Sequence, residues 1–384
     1  MTRKRPTQKS KPKRTPAGHR RYDSALLFPT ILLVGLGIVM VYSASSALSL
    51  KVYGHGYYYL KRQAVFALAG IVALVVCRHF PYRYYRQMAY PLLAMAMALL
   101  AMLQIPGLGH SAGGSTRWLH LAGFSFQPSE FGRLAMVIYL AYSLAKKEPQ
   151  VNQFAIGFVP HVMVLGAMAL LIALEPDFGS VVILTTITWV IMFAGGVRLL
   201  HLLTPMPIVI VGLGYFLASA PYRLERVASF LNPWAHAADK GYQVVHSQMA
   251  FGTGGWVGTG LGQSYQKLFY LPEPHTDFIF SVIGEELGLV GVVVILSLYG
   301  VLLWRGINIA RACKDLFGAL IAVGITTALI MQVCINMAVT VGLLPPKGLP
   351  LPLLSYGGTS LLITMCSMGI LMNIGSTLSL SRRS

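Results

Sequence analysis

After a short polar segment, the chain passes into apolar runs that recur almost to its carboxyl terminus. Each run is continuous, without the alternation that builds a transmembrane β-barrel, and most approach the roughly 20 residues a helix needs to cross a bilayer core. The pattern predicts spans at about residues 25–47, 64–80, 88–105, 128–145, 154–173, 178–197, 199–219, 279–304, 317–343 and 357–379. The expected fold is an all-α polytopic membrane protein with about ten transmembrane helices. A long loop, about residues 221–277, separates the seventh and eighth spans. It is rich in Gly, aromatic and basic residues, and long loops inside compact proteins are usually functional.

Composition agrees. Of 384 residues 55% are hydrophobic and 11% charged, against roughly a quarter charged in soluble domains. A water-soluble globule is excluded. The formal charge of +18 would suggest nucleic acid in a soluble protein, but membrane proteins gather Lys and Arg on the cytoplasmic side, so no nucleic-acid partner is expected. Residues 1–23 read as a disordered basic cytoplasmic tail holding Arg3, Lys4, Arg5 and Lys9, with Pro6, Pro12 and Pro16 interspersed. No cleaved signal peptide is expected. Residues 24–380 form the transmembrane domain and 381–384 a cytoplasmic end. The predicted inner loops carry Arg78, Arg83 and Arg86, then Lys146 and Lys147, Arg198, Arg305, Arg311 and Lys314, and finally Arg382 and Arg383. That series puts both termini in the cytoplasm.

The acids are distributed differently. Only Asp23, Glu148 and Asp315 of the 12 fall in predicted cytoplasmic segments. The rest lie outside or in the outer half of the membrane, where ionisable groups are functional candidates. The cysteines Cys77, Cys313, Cys334 and Cys366 show no metal or redox spacing.

The strongest local signal is LPEPHTDFIFSVIGEELG, where the long loop enters the eighth span. Asp277 at this junction suits a helix cap first, and second a general base whose pKa rises with partial desolvation. Glu285 and Glu286 do not stack beneath it at helical spacing, so each reads as a structural ion-pair partner. In the segment from Gly114 to Met136, Pro128 can start the fourth span, placing Glu130 and Arg133 at i and i+3 on one face. Arg117 and Trp118 precede it, suited to a phosphate or to interfacial anchoring. Glu175, Pro176, Asp177 and Gly179 compose a tight turn whose two acids are a weak divalent-cation signal. The loop glycines match no nucleotide-binding pattern, while Arg223, Arg226, Lys240 and Lys267 suit a pyrophosphate or anionic headgroup. From Gly342 to Leu362 a proline-interrupted segment re-enters the membrane, which is tolerated where it lines a cavity or is buried in protein. Lys347 lies on it.

These motifs, in order and across nearly the whole chain after the tail, resemble the SEDS family of bacterial shape, elongation, division and sporulation proteins, nearest its division branch. The carriers are RW at Arg117–Trp118, QPSE at Gln127–Glu130, PDFG at Pro176–Gly179, GYQ at Gly241–Gln243, LPEPHTDFIF, EELG at Glu285–Gly288 and KGLPLPLLSYGGTS at Lys347–Ser360. The resemblance implies an inverting peptidoglycan glycosyltransferase that polymerises lipid II, a disaccharide-pentapeptide on undecaprenyl pyrophosphate, into β-1,4 glycan at the septum. Asp277 is then the catalytic base. Substrate-binding candidates are Arg117, Glu130, Arg133, Asp177, Arg223, Gln243, Lys267, His275, Lys347 and Ser355. Arg133 stands where many members have Lys, and Thr359 where many have Ser. The only cofactor expected is a divalent cation, Mg or Mn. Implied partners are lipid II, a class B penicillin-binding transpeptidase (FtsI-like) and other divisome membrane proteins, in the bacterial inner membrane. A lipid II flippase or transporter and a non-catalytic divisome scaffold are the alternatives.

Overall fold

The computed structural model describes residues 22–105, 109–112, 115–121, 124–207, 230, 232–239, 241–268 and 271–381. Its helices are α1 (Ser24–Tyr53), α2 (Tyr58–His79), α3 (Tyr85–Met102), α4 (Pro128–Lys146), α5 (Val159–Leu174), α6 (Phe178–Ala194), α7 (Leu199–Leu203), α8 (Tyr242–Gly254), α9 (Ile279–Ala312), α10 (Leu316–Thr340) and α11 (Gly358–Ser381). Among the described residues six helical stretches are long and apolar enough to cross a membrane: α1, α2, α5 with the π-turn before it, α9, α10 and α11. Nine of the sequence-predicted spans coincide with α1 to α6 and α9 to α11. The tenth begins at α7, and most of it lies outside the described residues.

One expectation is corrected. The chain is mostly helical but not all-α, because an antiparallel sheet stands between α3 and α4, with β1 (Gly109–Ala112), β2 (Ser115–Leu121) and β3 (Phe124–Phe126) in that order. Thr116, Trp118, Phe124 and Phe126 favour extended backbone in a stretch too polar and too short to span. The long loop is also structured: it contains α8 and a 3-10 turn at Pro233–His236.

Buried Leu, Ile, Val and Met side chains fill the space between the helices. α2 and α11 meet closely where Gly369 stands, since a Cβ there would lie 2.5 Å from the Leu74 carbonyl oxygen. One end of the bundle is tied by charge and amide contacts. Arg305 Nε donates to Asp23 Oδ2 at 2.8 Å, Arg86 pairs with Asp315 at 2.5 Å, and Asn373 bonds the Arg78 carbonyl and the Tyr82 amide. The start of α1, the ends of α2 and α9, and the starts of α3 and α10 therefore share one face.

α9 is broken at Gly288, whose φ of 63° and ψ of −164° leave the helical region. The loop after α8 fills the break. Leu289 and Val290 donate to the carbonyls of Gly255 and Trp256, while Thr259 and Gly260 donate to those of Glu285 and Glu286. Gly258 is required there, because a Cβ on it would lie 2.2 Å from the Glu286 carbonyl oxygen and its φ is +85°.

Candidate active site

Asp277 does not cap a helix. The N-cap position of α9 belongs to Phe278, without a side-chain hydrogen bond. The carboxylate instead lines a cavity of about 610 Å³, together with Arg117 from β2, Asp177 from the α5–α6 turn, Gln243 from α8, Glu273, and Lys347 and Tyr356 from the segment before α11. Gly348 passes between the charged groups: a Cβ there would stand 3.3 Å from Asp277 Oδ2 and 3.5 Å from Arg117 Nη1. The absent side chain keeps the acid and the guanidinium in one open space.

Burial, then the neighbouring Glu273 carboxylate, raises the Asp277 pKa from 3.8 to about 7, with Arg117 opposing and Asp177 adding to the rise. A group so poised can hold or accept a proton near neutrality. Arg117 Nη2 donates to the Pro176 carbonyl at 2.7 Å, and Nη1 lies 4.0 Å from Asp177 Oδ1. Asp177 accepts from the Ser180 amide at 3.2 Å and hydroxyl at 2.6 Å, so it caps α6 while lining the cavity. Behind it, burial and the Asp177 charge push Glu175 up to about 8 against the pull of Arg117. Burial lowers the Lys347 pKa, partly offset by Asp177, and its Nζ lies 5.9 Å from the Phe178 ring centre.

The remaining sequence candidates lie elsewhere. Glu130 and Arg133 form a buried ion pair on α4, with Arg133 Nη1 donating to Gln332 Oε1 at 2.6 Å. They line a separate cavity of about 40 Å³ between α4, α10 and α11. Lys267 does not reach the large cavity, because its ammonium is buried against Glu286 at 2.6 Å and Ser43 at 3.0 Å. Of the two acids expected in ion pairs, only Glu286 is in one. Glu285 accepts hydrogen bonds from the Ser264 hydroxyl and the amides of Tyr265 and Gln266, clamping the loop onto α9. His275 is buried between the rings of Tyr59 and Tyr356. Ser355 is buried behind the site, donating to the Thr276 carbonyl and accepting from the Leu351 amide. Arg223 lies outside the described residues, with Arg226 and Lys240. Sequence reasoning passed over Glu273 and Tyr356, although both sit inside quoted motifs. Among the described residues no three His, Cys, Asp or Glu side chains are grouped to hold a metal ion.

The family described as Cell cycle protein, which groups FtsW, RodA and SpoVE, matches residues 24–379. The probable peptidoglycan glycosyltransferase FtsW of Trichlorobacter lovleyi is 44% identical over 96% of this chain and 97% of its own. Stage V sporulation protein E of Bacillus subtilis is 41% identical over 92% of this chain and 96% of its own. Among solved structures, the rod shape determining protein RodA of Thermus thermophilus aligns with a TM-score of 0.66 and 28% identity, covering 92% of this chain and 97% of that one. A chain from work on the structural coordination of polymerization and crosslinking by a peptidoglycan synthase complex aligns with a TM-score of 0.78 and 29% identity, covering 93% and 98%. Matched over nearly its whole length, this multi-pass membrane chain belongs to the FtsW, RodA and SpoVE family of cell cycle proteins.

Proposed function

We propose that the protein is a peptidoglycan glycosyltransferase that polymerises lipid II during septal wall synthesis, with Asp277 as general base. The observation that carries this reading is the placement of Asp277 opposite Arg117 and Lys347 in one cavity. The Asp277 carboxylate takes the proton of the acceptor hydroxyl as that oxygen bonds to the anomeric carbon of the donor sugar. The bond from this carbon to undecaprenyl pyrophosphate breaks, and its electron pair leaves with the pyrophosphate. Attack opposite the leaving group turns the α-linkage into β. Arg117 and Lys347 are the cations available to the departing charge, while Gln243 and Asp177, which line the same cavity, bond the sugar's hydroxyl and amide groups.

The working topology has ten crossings in the inner membrane, a basic tail at residues 1–23, a transmembrane domain at 24–380 and a short end at 381–384. Both termini are cytoplasmic. The basic residues Arg78, Arg86, Arg305 and Lys314 at one end of the bundle support this orientation. The partner is a class B penicillin-binding transpeptidase, with other divisome membrane proteins at the septum, a reading supported by the relative found in a peptidoglycan synthase complex.

Purified full-length protein with its transpeptidase partner is expected to convert labelled lipid II into polymer, and Asp277→Ala, recovered folded, is expected to make none. Polymer from Asp277→Ala would remove Asp277 from its role. Translocation of lipid II across vesicles without polymer would mean a flippase, and neither activity a scaffold.

A further inference from the structure

Two amides one helical turn apart on α10, Gln332 and Asn336, are 3% and 1% exposed and lie outside the large cavity. Their partners are backbone carbonyls of the two segments that carry the cavity's charged groups. Gln332 Nε2 donates to the Pro350 carbonyl at 2.9 Å, while its Oε1 accepts from Arg133. Asn336 Nδ2 donates to the Leu349 carbonyl at 2.7 Å and to the Asp277 carbonyl at 2.9 Å.

The sequence explains why such donors are needed. The stretch from Pro345 to Pro352 contains four prolines, at 345, 346, 350 and 352, and is too poor in N–H groups to form a ladder of its own. Its buried carbonyls must find donors outside it. α10 supplies two, at consecutive residues immediately after Lys347 and Gly348. The same Asn336 amide holds Asp277 by its main chain, which fixes the Cα and so the reach of the carboxylate. Asn336 Oδ1 has no hydrogen-bond partner among the described residues. The contacts of this side chain's polar end are therefore donations only, and the position serves the two carbonyls.

We propose that Gln332 and Asn336 are positioning residues for the polymerisation reaction, locking the Asp277 main chain to the Lys347–Pro350 segment and linking both to the Glu130–Arg133 pair. The inference rests on the reading of Asp277 as the base. It gives the intramembrane ion pair a role at a distance: Arg133 orients Gln332, Gln332 holds Pro350, and the adjoining Leu349 carbonyl shares its donor with Asp277.

The test uses full-length protein with its transpeptidase partner in detergent and labelled lipid II, with kcat and KM determined per mole of monodisperse protein. Asn336→Leu is expected to lower kcat about ten-fold or more while KM stays within about two-fold, because substrate still enters the cavity but meets a misplaced base. Gln332→Leu should give a smaller loss of the same kind. The double variant should be no worse than Asn336→Leu alone, since both act on one segment through the adjoining Leu349 and Pro350 carbonyls. If Asn336→Leu yields no monodisperse protein, Asn336→Ala removes the donor with a smaller side chain and carries the same expectation. Wild-type kcat in the Asn336 variant would overturn the proposal, as would a rise in KM at constant kcat or losses that multiply in the double variant. Asp277→Asn in the same assay separates the two readings: its retention of activity would sink the base assignment itself, whereas an inactive Asp277→Asn beside a fully active Asn336→Leu would sink the positioning role alone.

Discussion

Replacing Glu273 with Gln removes one negative charge from the cavity wall with almost no change of shape, and its hydrogen bond from Thr276 Oγ1, 3.1 Å, can be kept. Burial is the first cause of the rise of Asp277 from 3.8 to about 7, and Glu273 is the second. Among the described residues the other charged or titratable groups around Asp277 are Arg117, Asp177, Lys347, His275 and Tyr356, and all stay in place. Because Glu273 is exposed, water and salt screen its charge, and its removal should lower the Asp277 midpoint by about 0.5 to 1 pH unit. The sign follows from the role. A base works ionised, so activity rises with pH through its midpoint, and a lower midpoint moves the acid limb of the profile down. At pH 6 a base of midpoint 7 is about 10% ionised, and one of midpoint 6.3 about a third. Glu273→Gln is therefore expected to polymerise lipid II about three-fold faster than wild type at pH 6, and equally fast above about pH 8.5. The assay is initial rates between pH 5.5 and 9, at low and high salt, the shift shrinking at high salt. An acid limb that stays put, or moves up, would refute the electrostatic account of the cavity.

Gly348→Val should place methyl groups between Asp277 and Arg117 and reduce kcat about a hundred-fold with the fold intact, read as lost polymer from monodisperse protein; Gly348→Ala should lose less. Lys267→Met should strand the buried Glu286 carboxylate and cost about 3–5 kcal/mol, seen as a lower melting temperature. Lys267→Met combined with Glu286→Gln should recover most of that loss, and failure to recover would show that the ion pair is not what Lys267 supplies.

The helices were legible because a bilayer demands uninterrupted apolar runs, and those runs are written directly in the chain. Asp277 was legible for the converse reason: an acid at the end of such a run stands out. Glu130 and Arg133 could be paired from their spacing, since three residues on a helix bring two side chains onto one face. What could not be read was contact between distant segments. Lys267 looked like a substrate ligand because nothing local says that its loop folds down α9 to meet Glu286. Asn336 sits inside an apolar run with no neighbour in sequence to mark it, and its partners are 13 and 59 residues away. Ser355 and His275 fell in the right motif but serve the segment from behind, a distinction that depends on which way each side chain turns.

The break at Gly288 bears on how the protein is made. Most helices complete their hydrogen bonding from their own residues, so they can form as soon as they enter the bilayer. On the two sides of Gly288, α9 draws part of its backbone pairing from residues 255–260, translated earlier and stranded until that helix arrives. Glu285, by clamping Ser264 to Gln266, makes the dependence mutual. Loop and helix must therefore be paired together, late in synthesis, and a chain halted before the eighth predicted span has not made these contacts. A chain truncated before α9 thus holds Arg117, Asp177 and Gln243 without the helix onto which the loop after α8 is pinned.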